Sequence, residues 1–535
     1  MAPAPATIPE ETASDGSTIA PLYTGHVNDP AEPPTRVLSG ASSRPGLKRS
    51  ITTESRLSRI TSAMPNPEAD LAKGVNLRRP PGAGPPGAGG PPGGGGGGPP
   101  GLRKFSHGFF DPEFATFRGI AIKILGAVVV ITTLVMWACA PFYWGSLWKS
   151  NHYIDKLAVR VIDRDGGAIG EAVSAGLLNM TGSKTQLHYF WTSPTEFPTI
   201  TDIENDILDE GAWASIVINT GATAALAAAR AAGDSTYLGT TAISVIYTQA
   251  RQETAVGNYL VPYITAALAQ ITGQLSAQNV AQFIAANSGN ATALNLVAQA
   301  PTTLTAPISY AFENIRPFNQ PVATAITLVG LIYMLIFAFI TCMANNGVRE
   351  IIAPFLTTRS YLMYRILAPL SLYAWLSLVF AMINLPFKVD FGAHFTYAGG
   401  FFLWWVILFL GMASVGLACE FMITVLGPKF IAFFLIPLII ANVSVVSLPH
   451  ELQPWIYRYG VAMPFYNCSK AVRTIIFNTK NEIGQNVGIL IGWVVLSIVT
   501  TTVATYLYRC KAVREHMREV GEQELDRKLP DGRIV

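Results

Sequence analysis

The chain has 535 residues, of which 50% are hydrophobic and only 13% are charged, with a formal net charge of +3. Soluble domains carry about 25% charged residues, so a large part of this chain avoids water. A balance this close to zero lacks the basic footprint of a nucleic-acid-binding protein.

Residues 1–104 read as a disordered cytoplasmic tail. Pro, Ser, Thr and Ala dominate, and Pro80–Gly101 is a Gly/Pro linker that cannot bury enough apolar surface to offset its chain entropy. Met1–Glu10 lacks the apolar core of a signal peptide. The first transmembrane helix is expected over 119–140. Arg103, Lys104 and Arg118 flank it, which predicts a cytoplasmic N-terminus, and Trp137, Tyr143, Trp144 and Trp148 mark the opposite interface.

The next segment, 149–320, has the size and mixed pattern of one α/β domain. Leu157–Asp163 alternates apolar and polar residues and meets the turn Arg164-Asp165-Gly166-Gly167. Ala168–Leu178 reads as a helix, Gln186–Trp191 and Trp213–Asn219 as strands, and Asp202–Glu210 as an acidic helix between them. Ile243–Thr248 is a further strand, with helical patterns over Arg251–Gln274 and Gln278–Ala286. Asn179 and Asn290 begin N-glycosylation sequons, consistent with an extracytoplasmic position. No cysteine falls between Tyr143 and Asn319, so this domain has no disulfide framework.

At Asn314, Arg316, Pro317 and Phe318 the water-soluble domain is handed back to the membrane. Pro317 biases Arg316 towards an extended conformation, and Arg316 is expected to pair with an acidic group or a lipid phosphate. This segment reads as a coupling hinge. A five-helix membrane bundle follows over 322–508, with spans at Val322–Met343, Tyr361–Leu385, Gly399–Val425, Phe430–Leu448 and Val487–Tyr508. A charged cytoplasmic tail, 509–535, ends the chain. An even number of crossings puts both termini on the cytoplasmic side.

The connection 449–485 breaks the positive-inside pattern, because Arg458, Lys470, Arg473 and Lys480 fall on the outer side. Its interleaved aromatics predict a segment lying in the interface or dipping into it. Three intramembrane features stand out. Glu420 is a costly carboxylate near the inner end of its span, suited to pairing or snorkelling. Asn384 and Asn442 either line a polar path or make interhelical hydrogen bonds. Gly484, Gly488 and Gly492 form a small-residue stripe suited to helix packing inside the bundle. Cys510, beside Arg509 and Lys511, is a palmitoylation candidate.

Catalytic chemistry is hard to find. Gly182-Ser183-Lys184-Thr185 has the wrong spacing for a phosphate-binding loop, and His450-Glu451 lacks the second His of a zinc-protease helix. With seven His and no Cys/His cluster, neither a metal nor another cofactor is expected. The residues predict a protein that is not an enzyme.

Several strings carry a resemblance. They are Ala158-Val159-Arg160-Val161-Ile162-Asp163, Ile246-Tyr247-Thr248-Gln249-Ala250-Arg251, Asn314-Ile315-Arg316-Pro317-Phe318, Tyr459-Gly460-Val461-Ala462-Met463-Pro464, Arg473-Thr474-Ile475-Ile476-Phe477 and Gly488-Ile489-Leu490-Ile491-Gly492-Trp493. In this order around the spans, the chain resembles the fungal nitrosoguanidine-resistance protein family, and its layout resembles type-two ABC permeases and the phage-infection-protein group. The resemblance implies a plasma-membrane protein associated with resistance to toxic compounds. Two readings follow. One is a permease-like exporter or lipid mover, powered by a separate ATPase subunit or an ion gradient. The other is a non-transporting regulator or sensor acting on other membrane machinery. Membrane lipid and a second copy of the chain are the expected partners, and nucleic acid is not.

Overall fold

The computed structural model describes residues 108–528. The tail 1–104, with its linker, and the end of the C-terminal tail lie outside the described residues. Helix α1, Ala115–Leu147, precedes a five-stranded sheet built from β1 (Ala158–Asp163), β2 (His188–Trp191), β3 (Ala214–Ile218), β4 (Ile243–Tyr247) and β5 (Tyr310–Asn314). The order is β2-β1-β3-β4-β5, and only the β3–β4 pair is antiparallel. In register, Val161 lies opposite Ile216, and Ile216 opposite Val245. These β-branched runs are buried on both faces, as a helix-covered sheet requires.

Helices α2 (Ala168–Asn179), α3 (Ile200–Leu208) and α4 (Ala222–Ala232) connect β1 to β4, and α5 (Val261–Ala286) and α6 (Ala291–Gln299) follow. On one face Val173, Leu226, Ile264 and Leu268 pack against Val161 and Ile216. On the other, Ile203 of α3 packs against Ile162, Val217 and Ile246. The two helical patterns expected over Arg251–Gln274 and Gln278–Ala286 form one α5, after a turn at Glu253–Ala255.

The bundle comprises α7 (Gly330–Ile352, continuing a π-turn at Ala325–Val329), α8 (Thr358–Met382), α9 (Tyr397–Leu426), α10 (Ala432–Val443), α11 (Pro464–Phe477) and α12 (Ile483–Lys528). Among the described residues five helical stretches are long and apolar enough to cross a membrane: Pro112–Leu147, Ala325–Phe355, Thr358–Met382, Tyr397–Leu426 and Ile483–Gly521. Thr357 and Thr396 cap α8 and α9 by accepting from Ser360 N and Gly399 N. Gly416 lets α9 approach Tyr373 of α8 so closely that a Cβ there would collide with the ring.

Two expectations change here. Phe430–Leu448 does not form a full-length helix. Its regular part, α10, has 12 residues, about 18 Å, against a bilayer core of about 30 Å. Gly427 at φ 77° and Pro428 delay its start, and turns follow Val443. The chain nonetheless leaves α9 at the end remote from the α/β domain and returns to the domain by Val445. The connection 449–485 does not simply lie in an interface either. Its helix α11 buries 12 of its 14 residues inside the protein, with Cys468 against Gly411 of α9.

Candidate functional site

The loop after β4 is where the α/β domain meets the bundle, and four of its residues, Gln249 to Gln252, each bond to something different. Gln249 Oε1 accepts from Asn314 Nδ2 at 3.0 Å and from Phe318 N at 3.2 Å. Ala250 N donates to Arg316 O, and Ala250 O accepts from Arg473 of α11, both at 3.0 Å. Arg251 lies 3.7 Å over the Trp213 ring and donates to Ala212 O. Gln252 caps the following turn through Ala255 N and reaches Ser447 O at 3.0 Å.

The predicted hinge forms the other half of this clasp. Asn314 is the last residue of β5. Arg316 has no acid partner among the described residues; it donates to the carbonyls of Asn478 and Ile315 at 3.0 and 2.7 Å. The acceptor exists because Asn478 ends α11 in the left-handed region, φ 54°, which turns its carbonyl off the helix axis. Pro317 is exposed, and Phe318 packs on Phe477 at 4.8 Å between ring centres. Gln320 bridges Ile476 O and Asp390 N. The hydrophobic cores interpenetrate as well. Leu448 and Leu452, which follow α10, complete the core of the α/β domain, and Ala250 of that domain lies in the core of the bundle.

Between the two lies a cavity of about 150 Å³. Arg251 faces Glu451 at 3.5 Å and Glu210 at 3.7 Å across it, and Lys470 meets Glu210 at 3.5 Å and Glu482 at 3.0 Å. Arg473 pairs with Glu253 at 2.6 Å. Burial acts to lower the Lys470 pKa, but Glu210, Tyr466 and Glu482 together outweigh it and the net shift is upward. Burial likewise acts against the Glu253 charge, yet Arg473 brings its pKa below the usual carboxylate value. His450 stacks on Tyr466 at 4.9 Å, in space that Gly460 leaves free of a Cβ. Both His450 ring nitrogens are buried, and burial pulls its pKa below 6.5.

At the far end of the bundle, Glu420 of α9 is fully buried between two guanidiniums, Arg349 of α7 and Arg365 of α8. Asn345 Nδ2 donates to its Oε1 at 2.9 Å, and Arg365 also reaches Glu420 O and Thr424 Oγ1. One carboxylate thus ties together three helices.

The remaining predicted residues are scattered. Asn442 is buried and accepts from Phe465 N at the start of α11, an interhelical bond. Asn384 lies beyond the end of α8 and closes a turn onto Ala381 O, a bond within its own segment. Gly484, Gly488 and Gly492 have no neighbour within 4 Å of a built Cβ, so the stripe is not an internal packing face. Asn179 and Asn290 are exposed, the latter capping α6 through Ala293 N. Cys510 sits part-way along α12, which runs on past the expected end of the span at Tyr508. Among the described residues no three His, Cys, Asp or Glu side chains group to hold a metal. Sequence reasoning missed Gln249, Arg251 and His450. The first two stood within a quoted string but carried no local signal of contact.

The chain is 24% identical over 437 residues to an uncharacterized endoplasmic reticulum membrane protein of Saccharomyces cerevisiae, covering 73% of this chain and 81% of the relative. No solved structure gives a significant match. A family model matches residues 128–499, which take in most of α1, the α/β domain, the clasp and the bundle into α12. With the greater part of its length matched in this way, the chain belongs to the membrane-protein family described as protein of unknown function (DUF3533).

Proposed function

We propose that the chain is a permease-like protein of the plasma membrane that contributes to resistance to toxic small molecules, by exporting them or by moving lipid. In this reading 427–449 completes a sixth crossing, the α/β domain is extracytoplasmic, and both termini are cytoplasmic. The observation that carries it is the exchange of core residues, Leu448 and Leu452 into the domain and Ala250 into the bundle. Cores joined in this way do not slide independently, so a change in the domain is transmitted to the helices. The likeness to the nitrosoguanidine-resistance family supports the resistance role. The reading gives the chain no catalytic step of its own, so energy comes from a separate ATPase subunit or an ion gradient.

A second reading is a non-transporting regulator of other membrane machinery. The Arg349–Glu420–Arg365 lock favours it, since it holds α7, α8 and α9 closed at one end. The yeast relative is named for the endoplasmic reticulum, which makes that membrane the second location. Purified chain in vesicles, assayed for flux of a toxic compound and for movement of a fluorescent phospholipid, tests the first reading. Flux or lipid movement above protein-free vesicles supports it. Neither activity in vesicles, together with loss of resistance in cells lacking the chain, supports the regulator.

A further inference from the structure

Four cations, Arg458, Lys470, Arg473 and Lys480, occupy the connection between α10 and α12. Three are paired internally: Lys470 with Glu482 at 3.0 Å and Glu210 at 3.5 Å, Lys480 with Glu482 at 3.0 Å, and Arg473 with Glu253 at 2.6 Å. Arg458 is exposed and makes no hydrogen bond or ion pair among the described residues.

Arg458 lines a groove of about 410 Å³ between the 3₁₀ turn Trp455–Ala462 and the outer face of α12. It is the one charged residue there. The walls are otherwise Tyr459, Val461, Ala462, Ile489, Trp493 and Leu496, and Gly492 leaves open space where a side chain would stand. Trp493 Nε1 donates to Ala462 O at 2.6 Å and so fixes the turn against the helix. From Ile489 to Leu496 the groove follows α12 for about 10 Å, starting roughly 9 Å from the end of the helix nearest the domain. Trp455, 79% exposed on the same turn as Arg458, has the amphipathic character of a residue at headgroup depth.

We propose that this groove holds one acyl chain of a membrane glycerophospholipid whose phosphate is bound by Arg458. A guanidinium matches phosphate geometry in a two-pronged contact, and an apolar trough opening beneath it suits the attached chain. A second copy of α12 is a poorer occupant. Its membrane segment, 483–508, contains no carboxylate to satisfy Arg458. A free phosphate would leave the trough unfilled. The inference goes beyond the proposed transport function and stands whichever way that test falls, since it needs only that α12 lies in a bilayer.

The test uses the full chain in phosphatidylcholine vesicles containing a phosphatidylcholine with a photoreactive diazirine in its acyl chain. After irradiation, adducts are mapped by mass spectrometry. Adducts should concentrate between Ile489 and Leu496. Arg458→Gln should lower their yield roughly tenfold, the worth of a hydrogen bond to a charged group. Gly492→Leu, which fills the trough, should do the same, while Gly484→Leu, outside it, should not. Arg458 is exposed, so its variant reports on binding without a folding cost, and the elution profile of each variant checks this. Unchanged adduct yield in Arg458→Gln and Gly492→Leu overturns the proposal. So does a disulfide between copies in Gly492→Cys accompanied by loss of adducts, which would make the groove a dimer face.

Discussion

Removing the charge of Glu420 would leave Arg349 and Arg365 facing each other in a space with no solvent. Breaking a buried pair in this way costs about 3–5 kcal/mol, so Glu420→Gln should markedly lower the unfolding temperature of the detergent-solubilised protein. Replacing all three residues by apolar ones of similar volume should recover most of that loss, because the desolvation cost disappears with the charges. If the triple variant is no better than Glu420→Gln, the lock is more than an ion pair. A second residue-scale prediction concerns His450. Its pKa lies below 6.5, so the folded seam binds this proton less readily than the unfolded chain. The neutral ring's contribution is complete above that range and is lost as pH falls from 6.5 through the lower folded value. Amide exchange at Val445–Leu452, corrected for its intrinsic pH dependence, should therefore quicken between about pH 7 and pH 5, and His450→Gln should flatten the response. Equal slopes in both proteins would dismiss the idea. Glu253 and Glu482, held below 4.5, give up their share only in more acidic solution. Glu420 was legible in sequence because a carboxylate in an apolar run is conspicuous. Its partners are not, since Arg349 and Arg365 sit near span ends, where a basic residue is unremarkable, and only the packing of three helices brings them to one carboxylate.

The elements that build the clasp differ in how much they carry. A hydrogen bond to a charged group is worth about 1.5–3 kcal/mol; Arg316 donates to two carbonyls, one of them its neighbour's, whereas the more deeply buried Arg473 holds Ala250 O and adds an ion pair with the Glu253 carboxylate. Arg316→Ala and Pro317→Ala should accordingly keep normal protein levels at the membrane while weakening resistance to a toxic compound. Arg473→Ala should lower the unfolding temperature more than either. Growth on the compound, read beside surface-biotinylated protein and thermal unfolding, checks the ranking; full resistance in Arg316→Ala at matched levels would remove it from the coupling path. The long spans and the strands β1, β3 and β4 could be read ahead of the structure, because charge-free runs and β-branched runs each have one good physical solution. β5 could not, since Tyr310–Asn314 carries Glu313 and Asn314 and pairs along only one edge. The alanine-rich α4 shows too little contrast between its faces. Helix α11 looked interfacial for a better reason. Its sequence is half polar, and the α/β domain supplies part of what lets those groups be buried, the Ala250 carbonyl and the Glu253 carboxylate for Arg473, while Glu482 and the carbonyls of its own connection satisfy others.

For the whole molecule, the order of anchor helix, α/β domain and bundle followed from hydropathy alone, but the interlocking of domain and bundle did not, because it depends on contacts more than 200 residues apart such as Arg473 with Ala250. The proposed extracytoplasmic placement makes a direct prediction. Both sequon asparagines are exposed, so glycosidase treatment should increase gel mobility, and Asn179→Gln with Asn290→Gln should abolish that shift. Reaction of the 149–320 region with a cytoplasmic probe would reverse the orientation. Helix α12 adds a mechanical consequence. Its 46 residues, about 69 Å, begin beside Glu482, where Lys470 and Lys480 grip the chain, and run unbroken to Lys528. The bundle holds it over 490–509, since Ser414 of α9 donates to Leu490 O and Arg509 donates to Leu356 O, in the turn between α7 and α8. Helix α12 is therefore a strut, not a free rod: a shift at Glu482 would be shared with α9 along the seam and handed on to the turn at Leu356.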